Sequence, residues 1–224
     1  MTPDAAGEIA LRDIASWRRE YEDQGLTEAD LGADPLGAFL VWLGAARVAG
    51  LHEPNAMVVS TADDRGIPSS RMVLLKTIDE RGFVFFTNLE SRKARDLRAN
   101  AAIALLFPWH PLERQVRVEG VATVVDDAEA DAYFASRPRG SQLGAWASPQ
   151  SQVVPGREYL QERYVRQVDR FEGVDVLPRP SQWGGYRVRP HRIEFWQGRP
   201  GRMHDRIAFD RADDDTWFTE RLAP

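Results

Sequence analysis

The chain has 224 residues, no cysteine, and 29 basic against 34 acidic side chains, a formal net charge of −5. That length supports one domain, or two small ones, with a sizeable core. Zero cysteine excludes disulfides, thiolate metal sites, iron–sulfur clusters and a cysteine nucleophile, and the acidic balance lacks the basic footprint of a general nucleic-acid binder.

In chain order, Glu8 to Gln24 carries Ile9, Ile14, Trp17 and Tyr21 at helical spacing and stops at Gly25. A second helix is better signalled: Asp34 caps it, Pro35 suits its first position, and Leu36, Phe39, Leu40 and Leu43 form an apolar stripe ending near Gly50. Ala56–Thr61, Ser70–Ile78 and Gly82–Thr87 are short β-prone runs, punctuated by Asp63-Asp64-Arg65-Gly66 and Asp79-Glu80-Arg81-Gly82. A short polar helix is predicted over Ser91–Asn100, then strands over Ile103–Phe107 and Gln115–Val125. Helices follow over Asp126–Ser136, Gln142–Ala147 and Arg157–Phe171, and strands over Trp183–Val188, Ile193–Gln197, Arg202–Asp210 and Trp217–Arg221. Roughly eight strands with irregularly placed helices predict a closed or split antiparallel barrel with helices on its flank. Gly184-Gly185 is too short for a dinucleotide fingerprint, and no P-loop occurs. The four histidines lack metal-ligand spacing. With no signal-peptide pattern and no apolar run near the ~20 residues that span a bilayer, a soluble cytoplasmic protein is expected.

Five groups of residues suggest chemistry. Along Arg71-Met72-Val73-Leu74-Leu75-Lys76, strand alternation sets Arg71, Val73 and Leu75 against Met72, Leu74 and Lys76, a wall for an amphiphilic ligand with an anionic tail. Arg92 and Lys93 open a helix after Thr87, where cations oppose the helix dipole and a bound anion accounts for them. Tyr133 and Arg137 at i, i+4, with Ser141 at the mouth of the next helix, suit a phosphate monoester. In Arg202-Met203-His204-Asp205-Arg206, alternation aims Arg202, His204 and Arg206 one way, a repulsive set unless an anionic or electron-rich ligand lies between them. Arg18 and Tyr21 share a helix face that can serve as a lid. Taken singly, each group also reads as ordinary structure: a charged strand end, a solvated face, a capping serine. No GxSxG elbow accompanies His204, and no carboxylate pair suggests a glycosidase. Only Lys76 and Lys93 among the 29 cations are lysines, and both fall in these groups.

Together and in this order, these segments closely resemble the pyridoxine (pyridoxamine) 5′-phosphate oxidase family. The resemblance runs from about Trp17 to Pro224. It is carried by RREY (18–21), NAMVVST (55–61), RMVLLK (71–76), FFTNLESRKA (85–94), LLFPWHPLERQVRVEG (105–120), SRPRGSQLGAWASPQS (136–151), WGGYRV (183–188) and IEFWQGRPGRMHDR (193–206). It implies a mainly β (α+β), FMN-binding split β-barrel with flanking helices, an N-terminal segment (1–16) and a single domain (17–224). It implies a homodimer with FMN at the interface, oxidising pyridoxamine 5′-phosphate and pyridoxine 5′-phosphate to pyridoxal 5′-phosphate with dioxygen and releasing hydrogen peroxide.

By the same resemblance, FMN would meet Arg71, Met72, Val73, Leu74, Leu75, Lys76, Phe86, Thr87, Arg92, Lys93, Gln115, Gln150, Ser151, Trp196 and Arg206. The substrate phosphate would meet Lys76, Tyr133, Arg137 and Ser141. Arg202 and His204 would be catalytic and flank the pyridine, with Met203 between them and Arg18 and Tyr21 closing over it. Two other readings stay open: a different flavin or deazaflavin reductase of the same barrel superfamily, and a non-catalytic flavin or pyridoxal-phosphate storage protein. Arg202-Met203-His204 and the Tyr133/Arg137/Ser141 group speak against the first.

Overall fold

The computed structural model describes residues 20–22 and 24–224. Among them are nine strands, β1 (Ala56–Ala62), β2 (Pro68–Leu74), β3 (Thr77–Asp79), β4 (Gly82–Asn88), β5 (Ala102–Trp109), β6 (Arg114–Val124), β7 (Trp183–Gln197), β8 (Asp205–Arg211) and β9 (Trp217–Leu222). The helices are α1 (Glu28–Leu31), α2 (Pro35–Val48), α3 (Arg92–Ala99), α4 (Asp127–Ser136), α5 (Arg139–Ala147) and α6 (Arg157–Arg170). None is long and apolar enough to cross a membrane.

Every strand pairing is antiparallel, in the order β2-β1-β5-β6-β7-β4-β3. The two ends of that order, β2 and β3, are joined by Leu75 and Lys76 alone, so the sheet has to curl until its edges meet. The Lys76 N–H accordingly donates to the Val84 carbonyl, 2.9 Å away on β4. β7 is the spine. Its first half pairs with β4, its second half with β8, and β6 runs along its other side. That exchange of partners splits the barrel.

The hairpin turns form as their residues dictate. Asp63 accepts the N–H groups of Arg65 and Ile67, and Asp79 accepts that of Arg81, before glycines in the left-handed region. α2 begins where Asp34 accepts the Leu36 N–H and Pro35 takes the first turn. Its Phe39 is fully buried, with ring centroids 5.0 and 4.7 Å from Phe83 and Phe107, while Trp42 meets Phe195 at 5.1 Å. Burying such a ring contributes about 1.5–3 kcal/mol, so this helix plugs the barrel core.

The antiparallel split barrel with flanking helices agrees with the sequence expectation; several boundaries do not. The run Ser70–Ile78 is two strands, because Asn55 takes the chain at the break: its carbonyl accepts the Leu75 N–H (2.9 Å) and its amide donates to the Leu75 carbonyl (3.0 Å). Trp183–Val188 and Ile193–Gln197 are one strand, since a register shift between Glu119 and Gly120 accommodates Pro190 opposite Gly120. Strand β8 starts at Asp205, so Arg202 lies in a 3₁₀ turn (Pro200–Arg202) with φ 60°. The common strand face expected for Arg202, His204 and Arg206 is therefore absent. α4 ends at Ser136 and α5 starts at Arg139, so Tyr133 and Arg137 do not share a helix and Ser141 lies inside α5's first turn. Residues 20–22 and 24 are not helical; the remainder of the helix predicted over Glu8–Gln24 lies outside the described residues.

Candidate active site

A cleft of about 680 Å³ opens where the end of β2, the β2–β3 junction, β4 and helices α4 and α5 converge. Eleven residues singled out from sequence line it: Met72, Val73, Leu74, Lys76, Phe86, Thr87, Lys93, Tyr133, Arg137, Ser141 and Gln150. Its lining contains three cations and no carboxylate. Its floor is aromatic. Phe86 stacks on Tyr133 at 4.1 Å and on Trp183 at 5.3 Å, with interplanar angles of 17° and 4°. Gly185, opposite Phe86 on β7, makes room for this; a Cβ there would sit 2.7 Å from the Phe86 ring.

Arg137 lies over the Trp183 ring at 4.9 Å, and its Nη1 is buried with no hydrogen-bond partner. Burial pulls its pKa down, the sign of a cation short of compensation. Lys93 is 7% exposed and donates to Thr87 Oγ1 (2.9 Å), Ser91 Oγ (3.3 Å) and Gln150 Oε1 (3.0 Å). Burial, reinforced by the Arg71 charge, lowers its pKa to about 8. Lys76 is exposed at the β2–β3 junction, 6.0 Å from the Tyr133 ring.

A second group gathers at the other end of β7. Tyr21, Trp196 and His204 contact one another, with centroids 5.9, 5.5 and 4.6 Å apart. His204 Nδ1 accepts the Arg199 backbone N–H at 3.1 Å, which leaves Nε2 to carry the proton of the neutral ring. Burial first, then the Arg202 charge, holds its pKa below the usual 6.5. Arg202 and Met203 are exposed on the turn. Arg206 is gripped by Glu194 through Nε (2.8 Å) and Nη2 (3.1 Å), and its Nη1 donates to the Ala223 carbonyl (3.0 Å). Trp196 is thirteen residues along β7 from Trp183, a strand contour of about 40 Å. The two groups therefore sit toward opposite ends of one long strand.

The other expected residues are placed as follows. Arg71 turns to the Val59 carbonyl, Thr61 and Ser69, with Asp96 3.8 Å away. Leu75 is buried in the barrel core. Arg92 is exposed on the first turn of α3, and Ser151 follows Gln150 in a left-handed conformation. Gln115 pairs with Trp196 across the β6–β7 ladder. Arg18 lies outside the described residues. Sequence reasoning gave Trp183 no role, although it anchors the aromatic floor; the WGGY motif was the available signal. It also passed over Glu113, whose carboxylate accepts the Glu22 N–H at 2.9 Å.

Fold and site define a class: an antiparallel split barrel with a cation-lined, carboxylate-free cleft built over a flat aromatic stack. Comparison with known proteins narrows it. Residues 43–168 match the family model described as pyridoxamine 5′-phosphate oxidase, and residues 183–224 match the pyridoxine 5′-phosphate oxidase C-terminal dimerisation region. The chain is 56% identical over 212 residues to the pyridoxine/pyridoxamine 5′-phosphate oxidase of Nocardioides sp. strain JS614, covering 95% of this chain and 98% of that one. It is 56% identical over 217 residues to the one from Rubrobacter xylanophilus, covering 97% and 99%. Among solved structures, PhzG from Burkholderia lata 383, in complex with tetrahydrophenazine-1-carboxylic acid, superposes with a TM-score of 0.84 at 33% identity, covering 90% of this chain and 98% of that one. The chain belongs to the pyridoxine/pyridoxamine 5′-phosphate oxidase family.

Proposed function

We propose that this chain oxidises pyridoxamine 5′-phosphate and pyridoxine 5′-phosphate to pyridoxal 5′-phosphate with FMN, dioxygen accepting the electrons and leaving as hydrogen peroxide. With the amine, water enters and ammonia leaves. One observation carries the reading: a carboxylate-free cleft that keeps the Arg137 Nη1 buried and unbonded. A buried guanidinium nitrogen without a partner is a standing cost of about 1–3 kcal/mol, which an anionic ligand removes.

The residues fit FMN and a phosphorylated pyridine together. The β2 edge (Met72, Val73, Leu74) and the Phe86–Thr87 segment offer an apolar wall with backbone polar groups. Lys93, with Arg71 and Arg92 near it, supplies positive charge for the FMN phosphate; the Arg71 charge acts on Lys93, and the Arg92 charge acts on Arg71. Lys76, Tyr133, Arg137 and Ser141 hold the substrate phosphate by charge and hydrogen bonds. When bound, FMN supplies the acceptor for the hydride that leaves the substrate. The protein's contribution is to hold two planar rings at reacting distance and to set the charge around them.

The Trp196–His204 half-site lies too far along β7 to reach the cleft of its own chain, so the working enzyme is a homodimer in which each cleft is completed by the other subunit. Arg202 orients the substrate ring and stabilises charge developing on it. His204, neutral at pH 7, offers Nε2–H as a donor and is a weak base. Gln115, Trp196 and Arg206 would contribute to holding the cofactor from the other subunit, with Arg206 locked by Glu194.

The test is direct. Purified protein should be yellow, and should form pyridoxal 5′-phosphate and peroxide from both substrates under air. Colourless protein that turns over neither substrate after FMN is added would sink the proposal, and bound product without peroxide would favour a storage role.

A further inference from the structure

We infer that the Glu113 carboxylate is a positioning residue that clamps the Tyr21 segment over the Trp196–His204 group and so sets substrate affinity, an inference that rests on the oxidase reading above. Glu113 follows the 3₁₀ turn between β5 and β6 in a left-handed conformation, φ 54° and ψ 35°. A residue with a Cβ is disfavoured there, and glycine or asparagine is the ordinary occupant. A strained residue persists where its side chain does something the easier residue cannot. Among the described residues, the Glu113 carboxylate makes one hydrogen bond, accepting the backbone N–H of Glu22 at 2.9 Å.

The backbone of Glu113 has separate duties. Its carbonyl accepts the Gly198 N–H (2.7 Å) and the Gln197 amide (3.3 Å), and its N–H donates to the His110 carbonyl (2.9 Å). Any side chain at 113 keeps those bonds. What glycine would lose is the hold on Glu22.

That hold bears on Tyr21, the preceding residue. The Tyr21 ring lies against Gly198, where a Cβ would sit 3.0 Å from both the ring and the Glu113 Cβ. From there it meets Trp196 and His204 edge-on. The far end of the segment is pinned independently. The Leu26 N–H donates to Asp205 (2.9 Å), and its carbonyl accepts from Arg221 (3.1 Å). Both pins lie on the C-terminal side of Tyr21, and the one next to it is the Glu113 hold on Glu22.

The experiment compares Glu113→Gly, Glu113→Ala and Glu113→Gln as FMN-loaded enzymes, by hydrogen exchange over residues 20–26 and by steady-state kinetics with pyridoxamine 5′-phosphate. In the Gly and Ala variants the Glu22 amide should lose protection and KM should rise about three- to tenfold, the worth of one hydrogen bond to a charged group on a partly exposed segment. Turnover and FMN affinity should stay within about twofold of wild type. Glu113→Gln keeps an acceptor oxygen and should behave like wild type, and Glu113→Gly should melt no lower, because it relieves the left-handed residue. Unchanged exchange in Glu113→Gly overturns the clamp. So does a Gln variant as impaired as Gly, or a loss of FMN affinity equal to the rise in KM. Exchange is read without turnover, so an inactive wild type would defeat the oxidase reading while leaving the clamp to be decided on its own.

Discussion

The two ends of β7 handle charge in opposite ways. At the Trp183 end, Lys76, Lys93 and Arg137 face a cleft without a carboxylate, and Arg137 keeps one buried nitrogen unbonded. At the Trp196 end, Arg206 is held by Glu194, Arg199 by Asp205, and Arg221 by Asp205 and Glu28. On the turn between β7 and β8, Arg202 makes no ion pair with the described residues, and it is exposed. A cation with its carboxylate in place fixes geometry; a buried cation without one waits for an anion. On the proposed reading the first end binds phosphate, and the second presents the exposed Arg202 beside the His204 imidazole.

The sharpest way to break this contrast is Arg202→Ala. If the second end serves the reaction and the first end binds, kcat/KM should fall about 10²–10³-fold, the usual cost of losing a group that stabilises developing charge. FMN affinity, read by flavin fluorescence, should stay within about twofold. Equal losses in both would merge the two roles. Co-expression of Arg202→Ala with Arg137→Ala then asks whether the ends belong to different subunits. Half the dimers would be mixed, and each would carry one site with both halves intact, so activity at substrate well below KM should recover to about a quarter of wild type, from parents that retain about a tenth or less. Recovery no better than the parents would mean that each chain builds its site alone.

Arg137→Leu probes the first end. Losing a charge-assisted bond to phosphate should raise KM for either substrate about ten- to hundredfold. The ligand-free protein should nevertheless be as stable as wild type or up to about 1 kcal/mol more stable in urea, because a buried unbonded guanidinium nitrogen is gone. A variant that loses both stability and affinity would make Arg137 a structural cation stacked on Trp183, with no special tie to phosphate.

The two ends also differed in how far they could be read from sequence. At the binding end the signals are local. Asp34-Pro35 spells the start of α2, Asp79 and Gly82 spell a hairpin, and Lys93 sits in the first turn of the helix that follows β4. Alternation along β2 nonetheless failed after Leu74, because the break at Leu75 is stitched by Asn55, twenty residues earlier. The second end misled more. Arg202-Met203-His204-Asp205-Arg206 alternates like a strand, yet Gly201 and Arg202 both take positive φ and the strand begins at Asp205. That turn is held by contacts distant in sequence: Asp205 to Leu26 and Arg221, and Gly198 to Glu113. The strands expected over Trp183–Val188 and Ile193–Gln197 are one, because a bulge lets β7 continue through Pro190. Periodicity reports a segment's preference, and these segments were decided by residues 16 to 179 positions away.

The smallest effect tests the difference between the buried Lys93 and the half-buried Arg137 of the cleft itself. Arg137 cannot titrate in the working range, whereas burial and Arg71 bring Lys93 to about 8. The three donors of Lys93 already serve Thr87, Ser91 and Gln150, so its help to a nearby phosphate is mainly its charge. Affinity of the FMN-free protein for FMN should therefore weaken as pH rises through about 8, approaching tenfold per pH unit above it if the neutral form does not bind. Stability of the same protein should move the other way. In the unfolded chain the lysine keeps its ordinary value of 10.5, so the folded state bears the full cost of the buried ammonium below about pH 8. That cost is relieved between 8 and 10.5, where the unfolded state binds the extra proton. Lys93→Arg stays charged throughout and should flatten the pH dependence of binding even if its affinity at pH 7 is lower, whereas Arg137→Leu should leave that dependence intact. Binding that still weakens through pH 8 in Lys93→Arg would assign the titration to another group and remove the distinction between the two cations.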